Sequence, residues 1–167
     1  MLRSPVCGFI AGEIMPCLIR LARDSDAPGV SRVILAALLS SNAQDYPPSV
    51  IARVQQSFTP EGVAELMKKR QMFVALIGGV PVGTASLDGR AVRSVFVDPQ
   101  MHKRGIGRHL MWVVERAARE AGVTVLAVPS SLTAQAFYAR LGYQVVREID
   151  EGGERTIVME RELSPAQ

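Results

Sequence analysis

The residues of this chain best suited to chemistry are two glycines and three cations between positions 95 and 111. An apolar stretch ends at Asp98-Pro99, and an amphipathic helical pattern follows Gly105 and Gly107. The first amides of a helix lack intrahelical partners and lie at the positive end of its dipole, so they bind anions. Glycines let a bulky anion approach the backbone. The segment therefore predicts a phosphate-binding loop surrounded by the cations Lys103, Arg104 and Arg108.

The spacing of these glycines excludes two well-known phosphate loops. The chain contains neither GxxxxGK[ST] nor G-x-G-x-x-G, so it has no P-loop and no dinucleotide-binding fingerprint. A nucleotide-binding protein that uses this loop for ATP or NAD is disfavoured for the same reason. Taken alone, the glycine pair is explained equally well by a solvated basic turn.

A second motif makes the interpretation more specific. Residues 102–107 resemble the acyl-CoA loop of the GNAT superfamily of N-acyltransferases, [RQ]-x-x-G-x-[GA], with His102 where Arg or Gln is usual. Residues 131–143, SLTAQAFYARLGY, resemble the family segment [NS]-x-x-A-x-x-F-Y-x-x-x-G-[FY]. Together the two motifs cover residues 93–146, and weaker similarity extends over most of the chain.

The resemblance implies a mixed α/β (α+β) fold, in which helices flank a mostly antiparallel sheet and two central parallel strands splay apart to admit acyl-CoA. Backbone groups of residues 95–97 would pair with the pantetheine amides as an added strand does. Tyr138 would stabilise or protonate the departing thiolate. Ser131 would cap the last helix and lie near the pantetheine arm. The cofactor-binding residues that the resemblance implies are Val95, Phe96, Val97, His102, Lys103, Arg104, Gly105, Ile106, Gly107, Arg108 and Ser131.

The sequence does not identify the general base of the reaction. An amine with an unperturbed pKa of about 10.4 is protonated at pH 7, so its deprotonation costs about 4 to 5 kcal/mol. Many GNAT enzymes carry a Glu on the strand before the loop, whereas here that strand reads RSVFV. Asp88 and Asp45 are candidates that fit solvated turns better, and Ser94 could position a water instead.

Composition indicates one domain with a sizeable core. The chain has 167 residues, of which 48% are hydrophobic and 21% charged, and its net charge is +3. Because no basic run is interleaved with aromatic residues, a nucleic-acid surface is not expected. No apolar segment approaches the ~20 residues that cross a bilayer, so no membrane insertion is expected either.

Cysteine and histidine usage argues against a metal site. Cys7 and Cys17 show no CxxC pattern, and no cysteine or carboxylate cluster accompanies the two histidines. The thiols fit a reducing cytoplasm, where we expect the protein. Residues 1–16 read as a nonstandard leader interrupted by Glu13 and Pro16 rather than as a signal peptide. We expect the acetyltransferase domain at 17–163 and a tail at 164–167.

Periodicity and turn residues predict the elements that position the motifs. Strands are expected at 18–22, 72–77, 82–87, 91–97 and 123–128, with a terminal hairpin of 143–149 and 156–161. Helices are expected after the capping residues 24–26, at 49–55, from 59–61 onward, at 105–121 and at 131–141. The unit from 91 to 128 should be a right-handed parallel crossover. The first of these helices should bury Val30, Val33, Ile34, Ala37 and Leu38.

The function that the resemblance implies is transfer of an acetyl group from acetyl-CoA to a primary amine, without a metal. A small-molecule acceptor is preferred to a protein lysine or N-terminus. A second class of protein is also possible, a regulatory module that binds acyl-CoA without turnover. The reason is that the strand before the loop has no Glu. The resemblance also allows a homodimer, with the apolar residues 6–15 available to cover an interface.

Overall fold

The computed structural model describes residues 6–7, 16–42 and 46–165. Most of the predicted 1–16 leader, its proposed dimer interface, Asp45 and residues 166–167 lie outside these ranges. Within them, no helix has the length and apolar character needed to cross a membrane. The same ranges contain no group of three or more His, Cys, Asp or Glu placed to hold a metal ion.

Eight strands form a mixed sheet in the described part of the chain. They are β1 (Val6–Cys7), β2 (Cys17–Leu21), β3 (Gln71–Ile77), β4 (Val80–Asp88), β5 (Ala91–Val97), β6 (Val125–Ser130), β7 (Gln144–Glu151) and β8 (Glu154–Glu162). Their spatial order is β1-β2-β3-β4-β5-β6-β8-β7. Only the β5–β6 pair of this described sheet is parallel. The predicted mixed sheet with a central parallel pair is therefore confirmed.

Five α-helices accompany the sheet in the same ranges. They are α1 (Ala27–Ala37), α2 (Pro48–Ser57), α3 (Pro60–Lys69), α4 (Ile106–Glu120) and α5 (Gln135–Arg140). A π-helical turn, Leu38–Asn42, follows α1. The hydroxyl of Thr59 accepts the Gly62 amide at 3.1 Å, as expected of a helix N-cap. The predicted starts of α1 and α3 are confirmed, but the predicted cap of α1 is wrong: Asp26 makes no cap hydrogen bond, because its carboxylate accepts the Arg23 amide and pairs with Arg20.

The core has two layers because β3 is apolar on both faces. Met72, Val74 and Leu76 pack with α1 and α3 on one face. Phe73 and Ala75 face the cluster that includes α4 and α5 on the other. Alternate side chains of a strand point to opposite faces, so the continuous apolar run of β3 places a helical layer on each side of the sheet. The predicted apolar face of the first helix is buried in the first of these layers.

Several predicted boundaries are wrong, and two of them lie beside the parallel strand pair. The last helix begins at Gln135 and not at Ser131, because β6 stays paired with β8 as far as Ser130 and the chain then needs a turn to leave the sheet. Ser131 accepts the Ala134 amide at 3.3 Å within that turn, so it does not cap the helix, whose N-cap is Ala134. Strand β6 starts at Val125 and not at residue 123, because Val123 donates to the Ala118 carbonyl and completes the end of α4.

A buried ionic network ties α4 to β8 and to the segment after α5. The carboxylate of Glu115 accepts two hydrogen bonds from the Arg161 guanidinium, both 3.0 Å long. It also accepts the Tyr143 hydroxyl proton at 2.8 Å. Removal of one partner of a buried ion pair leaves an uncompensated charge, which is strongly destabilising. The charged pair therefore holds α4 against β8, and the Tyr143 hydroxyl adds one neutral hydrogen bond to it.

Candidate active site

A cleft opens where the two parallel strands separate. Strands β5 and β6 pair at one register position, Ala91 with Ala127, and the Ala127 amide donates to the Arg90 carbonyl at 2.9 Å. Beyond that point the two strands do not pair with each other along their described length. The space between them is a cleft of about 190 Å³, lined by Val95 of β5 and Ser130 of β6 among others. The predicted location of the cleft is confirmed.

A β-bulge at Ser94 shapes the β5 wall of this cleft. Thr84 pairs with Phe96 and Ser86 with Arg93, so both Ser94 and Val95 lie opposite one residue of β4. Ser94 has a φ of 56°, in the left-handed region. Its hydroxyl accepts a hydrogen bond of 3.1 Å from the Arg70 guanidinium, and burial lowers the pKa of Arg70 from its ordinary value. The bulge brings Ser94 and Val95 together to the cleft.

Replacement of Ser94 by Gly and by Val distinguishes the energetic cost of the left-handed backbone at the bulge from the loss of the hydrogen bond to the Ser94 hydroxyl. Both changes remove the hydroxyl, but only Gly adopts a left-handed φ without a Cβ penalty, and a β-branched residue is an outlier there. We expect Ser94→Gly to exceed Ser94→Val in free energy of unfolding by about 1 to 2 kcal/mol, measured in urea. Equal stabilities would mean that the bulge relaxes into ordinary strand backbone.

The predicted phosphate loop connects β5 to α4. Asp98 fixes its start, because the Asp98 amide donates to the Val82 carbonyl at 2.8 Å and its carboxylate accepts the Gln100 amide at 3.0 Å. Gly105 is the N-cap of α4 and has a φ of 78°, a left-handed conformation that suits glycine. His102 contacts the Val97 carbonyl at 3.2 Å. The loop therefore leads directly from the strand into the first turn of the helix.

The charge at this helix start is unbalanced. Lys103, Arg104 and Arg108 are exposed, and none forms an ion pair with any residue in the described ranges. No acidic residue occurs in the first turn of α4. Cations at a helix N-terminus oppose the dipole, each by roughly 0.3 to 1 kcal/mol, unless an anion lies among them. The arrangement suits a polyanion.

Tyr138 lies on α5 inside the cleft. Its side chain is 5% exposed, and its ring contacts the rings of Phe137 and Tyr143 with centroid distances of 5.1 and 6.0 Å. Its hydroxyl has no hydrogen-bond partner among the described residues, and no hydrogen bond contributes to its pKa. Burial raises the pKa of Tyr138 far above its ordinary value. The phenol is therefore a proton or hydrogen-bond donor at neutral pH and not a base.

The structure brings the predicted residues to two adjoining places. Val95, Phe96, Ser131 and Tyr138 line the cleft. The other predicted residues lie at the end of β5, in the loop and in the first turn of α4, namely Val97, His102, Lys103, Arg104, Gly105, Ile106, Gly107 and Arg108. Their assignment to acyl-CoA remains a prediction.

The structure gives the positions of two of the three candidates for proton removal. Asp88 lies at the end of β4, where its carboxylate pairs with Arg93 at 3.2 Å, and it is not part of the cleft wall. Asp45 lies outside the described residues. Ser94 lines the cleft, as a residue that positions a water should.

One carboxylate in the cleft was missed by sequence reasoning. Glu154, the first residue of β8, lines the wall together with Tyr46 and the α2 residues Ile51 and Val54. Its position after the turn Gly152-Gly153 gave no chemical signal, because a Glu at a hairpin end normally faces solvent. Pairing of β8 with β6 carries it to the cleft.

Comparison with known proteins defines the class of the protein. The family model of the acetyltransferase (GNAT) domain matches residues 29–163. The chain therefore belongs to the GNAT family of acetyltransferases and is an enzyme of that class. It is 29% identical over 133 residues to the uncharacterized N-acetyltransferase YafP of Escherichia coli K12, covering 78% of this chain and 83% of the relative.

Solved structures share the fold. A GCN5-related N-acetyltransferase from Rhodopseudomonas palustris superposes with a TM-score of 0.81 at 24% identity, over 92% of this chain and all of that one. The PaiA N-acetyltransferase of Thermoplasma acidophilum, in complex with coenzyme A, gives 0.77 at 15% identity over 89% and 99% of the chains. YncA of Salmonella typhimurium, a putative acetyltransferase with its cofactor acetyl-CoA, gives 0.69 at 20% identity over 89% and 94%. At these identities the likeness establishes the fold alone.

Proposed function

We propose that this acetyltransferase transfers an acetyl group from acetyl-CoA to the primary amine of a small molecule, by direct attack in a ternary complex. The observation that carries the proposal is the cleft between β5 and β6, with the unpartnered Tyr138 hydroxyl inside it and the cationic loop at the end of β5. The PaiA and YncA structures, which hold coenzyme A and acetyl-CoA, share this fold and support the choice of co-substrate.

The loop fits the phosphate end of acetyl-CoA. Its exposed cations Lys103, Arg104 and Arg108 have no anionic partner among the described residues. Gly107 lets the first turn of α4 pack closely on its neighbours, since a Cβ there would lie 3.3 Å from the Phe137 ring and 3.6 Å from Val97. We assign the phosphates to the amides of residues 105–108, with His102 holding the loop against the Val97 carbonyl.

The free side of β5 fits the pantetheine arm. Because β5 and β6 separate after Ala91 and Ala127, backbone groups of residues 95–97 on that side are available to an extended ligand, except the Val97 carbonyl that His102 contacts. Ser131, at the other wall, accepts a hydrogen bond from the Ala134 amide and retains a hydroxyl proton to donate. An added strand between the two walls satisfies backbone donors and acceptors that the splayed sheet leaves open.

Acetyl-CoA supplies a thioester whose carbonyl carbon the amine attacks and whose sulfur departs as a thiolate. The buried phenol of Tyr138 donates a hydrogen bond to that sulfur in our proposal. An ordinary thiol pKa of about 8.5 is below that of tyrosine, so a hydrogen bond with late or partial proton transfer suffices. The amine must lose its proton, and since β5 has no carboxylate, we assign the path to a water held at Ser94 that passes the proton on to bulk solvent.

Two assays on the purified protein test this proposal. Calorimetry compares acetyl-CoA, CoA and ATP, and a thiol-release assay then compares small primary amines with lysine-containing and N-terminal peptides. We expect micromolar binding of acetyl-CoA, much weaker binding of ATP, and fastest thiol release with a small amine. Equal ATP binding would reject the co-substrate, and faster release with peptides would indicate a protein acetyltransferase. Tight binding without release on any amine would indicate a regulatory module.

A further inference from the structure

Glu154 is the only charged side chain that lines the cleft within the described ranges. It begins β8, and the last β6–β8 pair joins Ser130 to Ile157, so Glu154 lies past the carboxyl end of β6. The turn before it packs against the start of α2, since a Cβ at Gly153 would lie 3.4 Å from Pro47. The β7–β8 hairpin therefore places a carboxylate at the mouth of the cleft.

The carboxylate is held by a partner that is easily displaced. Arg53 of α2 donates to Glu154 at 3.1 Å, across 101 positions of sequence, and the two side chains are 64% and 35% exposed. An ion pair this exposed contributes little to stability. An ammonium group entering the cleft can take the place of the guanidinium at small cost. The ion pair therefore orients the Glu154 carboxylate and leaves it able to bind the cation of a ligand.

The wall around this carboxylate is apolar. Leu38 and Ile51 are buried, and Val54 and Phe96 are half-buried, all on the side of the cleft that Glu154 occupies with α2 and the turn after α1. No lysine or arginine of the described residues lines the cleft, and the Arg53 guanidinium beside Glu154 lies outside the wall with its side chain 64% exposed. The wall thus combines one negative charge with an apolar surface.

We propose that Glu154 is the acceptor-binding residue and that the acceptor is a primary amine on an apolar body without a carboxylate. The proposal rests on the proposed function and adds no bond-making step to it. The carboxylate attracts and orients the ammonium form at the mouth, and the apolar wall receives the rest of the molecule. A carboxylate on the acceptor is disfavoured, because the cleft wall carries Glu154 and no cation, and Arg53 outside the wall is so exposed that an ion pair with it contributes little.

Steady-state kinetics of Glu154→Gln with two matched acceptors tests the assignment. Phenethylamine and phenylalanine share an aromatic body and a primary amine, and only the second carries a carboxylate. We expect wild-type enzyme to favour phenethylamine by at least about tenfold in kcat/KM. Glu154→Gln should raise the KM for phenethylamine about tenfold and narrow that preference, while the KM for acetyl-CoA stays unchanged.

Arg53→Gln is the matched control, because it breaks the same ion pair and keeps the carboxylate. We expect its KM for phenethylamine to stay level or fall. An equal rise of the KM for phenethylamine in both variants would assign the effect to the hairpin and overturn the proposal. An unchanged KM in Glu154→Gln or a wild-type preference for phenylalanine would overturn it too. So would a rise of the KM seen only in a third variant, Asp45→Asn. In those cases amine transfer by wild-type enzyme leaves the proposed function standing. A wild-type enzyme that acetylates no amine overturns both.

Discussion

Tyr138→Phe should lower kcat about a hundredfold and leave the dissociation constant for acetyl-CoA nearly unchanged. A donor positioned at a reacting group typically contributes 10²- to 10⁴-fold, and a hydrogen bond without complete proton transfer belongs at the lower end. Phe keeps the ring that packs on Phe137 and Tyr143, so the cleft keeps its wall. Single-turnover kinetics and calorimetry measure the two quantities separately.

Tyr143→Phe is the control for this change. Tyr143 is another buried tyrosine whose ring contacts that of Tyr138, but its hydroxyl donates to Glu115 at 2.8 Å. We expect this variant to lose stability and to keep kcat. A Tyr138→Phe enzyme with normal kcat would mean that the thiolate leaves unaided.

The pH dependence of the rate is a second test of the role of the Tyr138 phenol. Because burial raises its pKa, the phenol keeps its proton through the neutral and mildly alkaline range. The expected rate profile therefore has no alkaline fall due to this group below about pH 10, the ordinary tyrosine pKa.

Gly107→Trp should weaken acetyl-CoA binding at least about a hundredfold. The inner side of this position is closed, since even a Cβ would lie 3.3 Å from the Phe137 ring and 3.6 Å from Val97. An indole attached to that Cβ is too large for a small movement of Phe137 to relieve, so the first turn of α4 must move. The backbone donors of an anion site act only at hydrogen-bond distance, so moving them removes the interaction.

Gly107→Ala provides the graded comparison for this test. Its single methyl group makes a tight contact that a small movement of Phe137 relieves, and Ala favours a helix interior by about 1 kcal/mol over Gly. We expect Ala to retain most of the affinity measured by calorimetry. Circular dichroism melts of both variants check the fold. Wild-type affinity in a folded Trp variant would place the phosphates elsewhere.

Local patterns in the sequence determined most of the elements. Strand β5 was predicted at its observed bounds, 91–97, because an apolar run between turn residues needs no distant information. The end of α4 at Gly122 and the cap at Thr59 likewise follow from residues within one turn. The loop at 102–108 and the aromatic pair of α5 were found from their spacing and from the family resemblance.

Tertiary structure alone decided what surrounds the chemistry. The bulge at Ser94 depends on the register between β4 and β5, and the shortened start of α5 depends on the pairing of β6 with β8. Glu154 reaches the cleft, and meets Arg53, only because the sheet order places the last hairpin beside β6. Such contacts join residues far apart in the chain, and local periodicity carries no information on which distant partner a side chain meets. The sequence by itself thus determined the elements and the cationic loop before α4, whereas strand order decided which carboxylate lies in the cleft.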